Sequence, residues 1–328
     1  MDTRKVAMRL GAGILAAALV LGAARGGAFD WIGRLPPEAL SLLIYLQTGR
    51  VVRLPSIIPT QPTQPPSDTQ PTQTPVILPV FSQQDLLSVI MRYGCESRPD
   101  LAPLLTAPLV WDLRDGQPAV LIIHTHATES YTKQPGEDYT ESSAYRTLDE
   151  SYNMVSIGDH LAALLEAGGI RVIHDRQLHD YPSYNGAYDN ARAAIEDYLA
   201  QYPTIRLVLD LHRDAAGDGN GGQVSTSATV SGEEASQLML VLGTDEGSTS
   251  HPNWQENLSL GLKLAAMLEQ QNPGVCRGIN LRRHRFNMDL SPGGLLIEVG
   301  TAGDTHQKAL HAAAALAEGI LALSAGAG

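Results

Sequence analysis

The chain is poor in cysteine, and its two, Cys95 and Cys276, lie so far apart that CxxC-type metal or redox chemistry is excluded. Two unpaired buried thiols are the expectation. Aromatic residues make up only 5%, with three Phe and three Trp, so any core must be aliphatic and alanine-rich. Positive charge is also scarce: 23 Lys and Arg against 35 Asp and Glu give a formal charge of −12, which argues against nucleic acid as a partner because phosphate binding needs clustered cations. The glycine-rich stretch Gly217–Gly222, GDGNGG, lacks the Gly-Lys-Ser/Thr of a phosphate loop and reads as a flexible connection.

The N-terminus is organised for export. Arg4, Lys5 and Arg9 flank the uncharged run Leu10–Ala24, so residues 1–30 form either a signal peptide or an uncleaved signal anchor. Positive charge on the N-terminal side predicts an N-in orientation, with the rest of the chain outside the cytoplasm. The expected location is therefore the cell membrane, single-pass with an extracytoplasmic catalytic domain, or secretion if the leader is cleaved. Residues 31–83 read as a stalk. Within it LPPEALSLLIYL is a brief apolar patch, and Pro59–Pro75 repeats Pro-Thr-Gln with no large apolar residue, which predicts an extended spacer.

Residues 84–328 read as the catalytic domain. A helix over DLLSVIMRYG is expected to lead in, and from Pro118 short aliphatic runs alternate with amphipathic stretches, the pattern of an α/β fold. Strands are predicted at 119–123, 170–173, 207–211, 237–242, 279–282 and 295–299, each suited to a sheet covered on both faces. Helices are predicted at 152–165, 188–199, 254–270 and 307–323.

Three of these strands end in groups of metal-binding type. The run 120–123 leads into His124, Thr125, His126 and Glu129, and sites in open α/β sheets gather outside the carboxyl ends of strands. The His126-x-x-Glu129 spacing can turn an imidazole and a carboxylate towards one point, an N/O set that zinc accepts. The run 207–211 leads into His212, flanked by Asp210 and Asp214, which suits a further ligand whose tautomer a carboxylate fixes. Glu298 lies inside the apolar run GLLIEVG, where a carboxylate is costly unless it is paired, hydrogen-bonded or protonated. Together they match a His/Glu/His zinc site with a glutamate general base.

The segments HTHATESY, NMVSIGDHLAALLEAGGIRVIHDRQLHDYPSYNGAY, DLHRDA and RGINLRRHRFNMDLSPGGLLIEVG, in that order, resemble the stage II sporulation protein P family over roughly residues 115–320. The resemblance implies an N-acetylmuramoyl-L-alanine amidase, also an endopeptidase on cross-linked stems, acting in sporulation engulfment. It implies peptidoglycan as substrate, Zn2+ as cofactor, and stage II sporulation proteins D and M as partners. It also implies a phosphorylase/hydrolase-like fold, a three-layer mixed sheet with helices on both faces. Matched residue by residue, it places the zinc-binding histidines on the HTH triplet and His212, and the catalytic glutamate on Glu298. His126 is the chosen ligand, with His124 as a substrate-facing or supporting group. Glu129 is the carboxylate ligand, and Glu150, just ahead of the helix at 152, is the alternative. Asp180, Tyr184, Asn185 and Tyr188 match a family loop bordering the cleft, and Phe286 stands where the family usually has Tyr. Two other readings remain. A zinc carboxypeptidase-like peptidase would grip a substrate carboxylate with Arg282, Arg283, Arg285 or Asn287, and a wall-binding scaffold would keep only a degenerate site.

Overall fold

A computed structural model describes residues 81–109 and 111–324 of the chain. The leader at 1–30 lies outside the described residues, as do all but the last three positions of the stalk at 31–83. The core is a seven-stranded sheet of β1 (Met91–Gly94), β2 (Pro118–Ile123), β5 (Arg171–His174), β6 (Leu207–Asp214), β9 (Leu238–Gly243), β10 (Cys276–Arg282) and β11 (Gly294–Thr301). Two small antiparallel hairpins, β3 (Glu141–Ser143) with β4 (Arg146–Thr147) and β7 (Ala228–Val230) with β8 (Glu233–Ala235), decorate it. The strand order is β1-β10-β9-β11-β6-β2-β5. Neighbours run parallel except β9 against β11, so the sheet is mixed, as expected.

Alternation along each strand assigns the faces. Val120, Ile122, Leu209, Leu211, Leu295, Ile297, Leu238 and Leu240 join the larger core. Against it pack α2 (Met154–Ala167), α4 (Trp254–Gln271) and α5 (His306–Ser324), which contribute Ile157, Leu161, Leu264, Leu268, Leu316 and Ile320. Alanines 309, 312, 313, 315 and 317 on α5 are buried there, consistent with a core short of aromatics. The short α1 (Leu101–Thr106) sits on α4, where Lys263 donates to the Leu104 carbonyl at 2.7 Å. On the opposite face Leu121, Ile123 and Val208 are covered by Ala191 and Ile195 of α3 (Ala187–Gln201). Beyond α3, Met239, Val241 and Leu296 on that face pack with Phe286.

The predicted strands and helices at 119–323 all form, within a few residues of the expected ends. The lead-in helix does not. Asp85–Ser88 is one short 3-10 turn, and Met91–Gly94 is an edge strand. Its burial alternates, with Met91 and Tyr93 packing on the core, so the apolar residues follow a two-residue period rather than a helical one. Cys95 and Cys276 are both buried and unpaired, as expected.

Candidate functional site

Because β11, β6, β2 and β5 run one way and β9 and β10 the other, the carboxyl ends of the first set share an edge with the amino ends of the second. His126, His212 and Glu298 meet at that edge. Glu298 is the register partner of His212 on one side and of Met239 on the other. The chain leaves β2 at Ile123 and turns, bringing the His126 ring to 5.3 Å from that of His212, nearly perpendicular. Glu129 Oε2 lies 3.6 Å from His212 Nδ1, and Asp210 Oδ1 lies 2.9 Å from His212 Nε2 but out of line for a hydrogen bond. Asp210 is itself fixed by the Thr125 amide at 2.8 Å and hydroxyl at 2.6 Å, which ties the β2 turn to β6.

The electrostatics divide the carboxylates into two kinds. Burial works to raise the pKa of Glu129, but His212 and Arg213 outweigh it and hold the group down at about 2. Arg146 adds an ion pair to Glu129 at 3.2 Å. His212 and Arg277 pull Glu298 the same way, but there burial outweighs them. Part of its side chain meets solvent, yet Oε2 is buried without a hydrogen-bond partner, and burial, with Glu129 and Asp214 adding to it, pushes the group up to about 8. Burial disfavours charge on His212 as well, but Asp210 and Glu129 raise its pKa well above the ordinary value. Burial and the neighbouring His212 lower His126 to about 4.

The structure separates the remaining expected residues. Tyr184 stacks on His126 with ring centres 4.5 Å apart, Tyr188 meets it edge-on at 5.6 Å, and Asp180 accepts from Thr128 and Arg146, so the loop before α3 does border the cluster. His124 does not face it. Its Nδ1 donates to the Leu211 carbonyl and its Nε2 meets His174 at 2.8 Å, under α2 on the larger-core face. The strand ends at Ile123, ahead of both histidines, and the turn that follows sends 124 and 126 to different sides. Glu150 is exposed and paired to Arg176 at 2.7 Å. Arg282 and Arg283 are exposed at the far end of β10, and Arg285 is bound to Asp289. Asn287 donates to the Tyr188 carbonyl at 2.8 Å and holds a left-handed backbone, as does Phe286, so the pair aims the Phe286 ring back onto the sheet. Sequence reasoning missed Arg146, Arg213 and Arg277. Arg213 directly follows the strand-end His212, and its backbone amide also donates to Glu129.

Among the described residues no three His, Cys, Asp or Glu side chains are gathered closely enough to hold a metal ion as they stand. The donor set nonetheless fits zinc in kind: His126 Nδ1 is buried with no partner, and His212 Nδ1 and the ionised Glu129 face one another beside it. Asp210 occupies the other nitrogen of His212, where a carboxylate behind a metal-binding imidazole belongs.

Fold and site define an open-sheet α/β protein with a histidine–carboxylate cluster at the strand ends. Comparison places it more narrowly: the stage II sporulation protein P family matches residues 61–321, and the chain belongs to that family. It is 26% identical over 211 residues to stage II sporulation protein P of Bacillus subtilis (strain 168), a match covering 61% of this chain, and spans about half (49%) of that relative's length. Among solved structures it is similar to the N-acetylmuramoyl-L-alanine amidase AmiC2 of Nostoc punctiforme, with a TM-score of 0.38, 14% identity, and coverage of 62% of this chain and 95% of that one. It is also similar to an N-acetylmuramoyl-L-alanine amidase from Clostridium difficile 630, with a TM-score of 0.36, 16% identity, and coverage of 63% and 94%.

Proposed function

We propose that this chain is a peptidoglycan hydrolase of sporulation that cleaves the amide joining the muramoyl lactyl group to L-alanine, and that it requires zinc. The observation that supports this most is Glu298, held largely protonated near neutral pH and in register beside His212, with His126 and Glu129 adjoining. His126, Glu129 and His212 would hold the zinc ion, which would supply Lewis acidity at the scissile carbonyl and to the attacking water.

The chain's own residues do the rest. Glu298 is the group that takes a proton from water and delivers it to the departing amine, and a pKa near the working pH is what both transfers need. Asp210, pinned by Thr125, holds the His212 ring in place. His212 and Arg213, with Arg146 paired to it, keep Glu129 ionised, so the site sets an ionised carboxylate beside a proton carrier. Tyr184 and Tyr188 restrict His126 from two directions and narrow the approach to it. Endopeptidase cleavage and assembly with stage II sporulation proteins D and M are further parts of this proposal that rest on family membership, and membrane attachment through residues 1–30 is another that rests on the basic flank and apolar run there.

Digestion of purified sacculi, with mass analysis of the fragments, tests it. New L-alanine amino termini, lost on chelation and restored by zinc, are expected; release of single amino acids, or digestion indifferent to chelator, would replace this reading with another.

A further inference from the structure

Arg277 was not among the residues expected at the site. It opens β10, next to Cys276, whose partner on β9 is Leu238, and before Ile279, whose partner is Leu240; between them it stands alongside Met239. Met239 is in turn the register partner of Glu298, and Glu298 of His212. Arg277 and Gly278 together oppose Met239 across an irregularity in the register, which places Arg277 at the edge where the site lies. The Arg277 side chain reaches towards β6, where its Nη2 donates to Asp214 Oδ2 at 2.7 Å. Its charge is felt at Glu298.

The guanidinium carries five N–H donors in a rigid plane and keeps its charge at any ordinary pH. Asp214 engages Nη2. Nε is buried with no acceptor, which costs on the order of 1–3 kcal/mol unless something arrives to accept it. The other arginines here are already committed. Arg213 donates to the Ser130 and Tyr145 carbonyls, and Arg146 to Asp180, Thr128 and Glu129.

We propose that Arg277, steadied by Asp214, binds a carboxylate of the substrate peptide beside Glu298, so that this hydrolase selects acidic stems. The proposal deepens the hydrolase reading and rests on it for the identity of the peptide. A planar carboxylate can take the idle Nε–H together with a neighbouring N–H of the same edge. The arginines suggested by sequence for such a grip, Arg282, Arg283 and Arg285, lie at the far end of β10 or are tied to Asp289.

The carboxylate could belong to an acidic side chain or to the peptide's C-terminus, and amidation of each in turn separates them. Three stem peptides on a muramoyl group are compared in the full-length protein: the free acid, one with the side-chain carboxyl amidated, and one with the terminal carboxyl amidated. The wild type is expected to prefer the free acid over one of the two amides. Arg277→Gln is expected to reduce that preference about tenfold, with KM carrying the change, as loss of a charged hydrogen bond predicts. Arg277→Lys, which retains the charge and the Asp214 pair, should lose part of it. Equal use of all three peptides by the wild type, or an unchanged preference in both variants, overturns the proposal. Should the wild type cleave none of them, the hydrolase reading fails, and calorimetric binding of the same peptides to the wild type and both variants still decides the role of Arg277.

Discussion

Glu298 and Glu129 share one site and are driven in opposite directions. Because the folded pKa of Glu298 is about 8 against an ordinary 4.5, the native state binds more protons than the unfolded chain between those values. Its contribution to stability is thus full below about pH 4.5 and is lost as the pH rises through 8. Glu129 behaves conversely, with stability present above 4.5 and lost as the pH falls towards 2. Denaturant titrations at pH 5 and pH 8.5 should therefore show Glu298→Gln losing less stability over that interval than the wild type. The same variant should retain its fold but lose hydrolysis by about 100-fold or more, the usual scale of general acid–base catalysis; wild-type turnover would remove Glu298 from the mechanism. That this carboxyl is costly was legible in its apolar neighbours Ile297 and Val299. That Arg146 and Arg213 would close on Glu129 was not, because those contacts close loops of 17 and 84 residues that no local pattern records.

The elements follow local rules closely where those rules are strong. The helix α2 begins at Asn153, whose side chain accepts from the Val155 amide, and its amide group reaches the Thr147 carbonyl, so the cap also anchors the preceding hairpin. Its buried face carries Gly158 for a different reason. A Cβ there would collide with Nε2 of both His124 and His174, so the glycine lets the helix lie against that histidine pair. Gly158→Ala should destabilise the domain by about 1–3 kcal/mol despite the better helix propensity of alanine, since overpacking outweighs it; thermal denaturation measures this, and a raised midpoint would contradict it. Long aliphatic runs such as 207–211 announced their strands. Four-residue β1 was misread because so short a run holds too few alternations for its two-residue period to stand out from the preceding apolar residues.

At the scale of the whole domain, the site exists because of sheet topology. The segments that supply it, after β2, within β6, at the start of β10 and within β11, span about 170 residues of sequence, and only the reversal between β9 and β11 brings the start of β10 to the edge where β6 and β11 end. Strand order is a global property, which explains why His126, His212 and Glu298 could be chosen from sequence but Arg277 could not. On the proposed zinc requirement, the folded state is the better zinc binder. Unfolding would scatter the three proposed ligands, so zinc should stabilise the native fold by about 2.7 kcal/mol at a free concentration a hundredfold above its dissociation constant. Thermal unfolding of chelator-treated protein, with and without added zinc, measures this. The midpoint should rise for the wild type and for Glu298→Gln, and should not move for His212→Ala, which deletes one donor. A rise that persists in His212→Ala would mean that the metal binds elsewhere, and the cluster at the strand ends would then lose its claim to zinc whatever the activity of the protein.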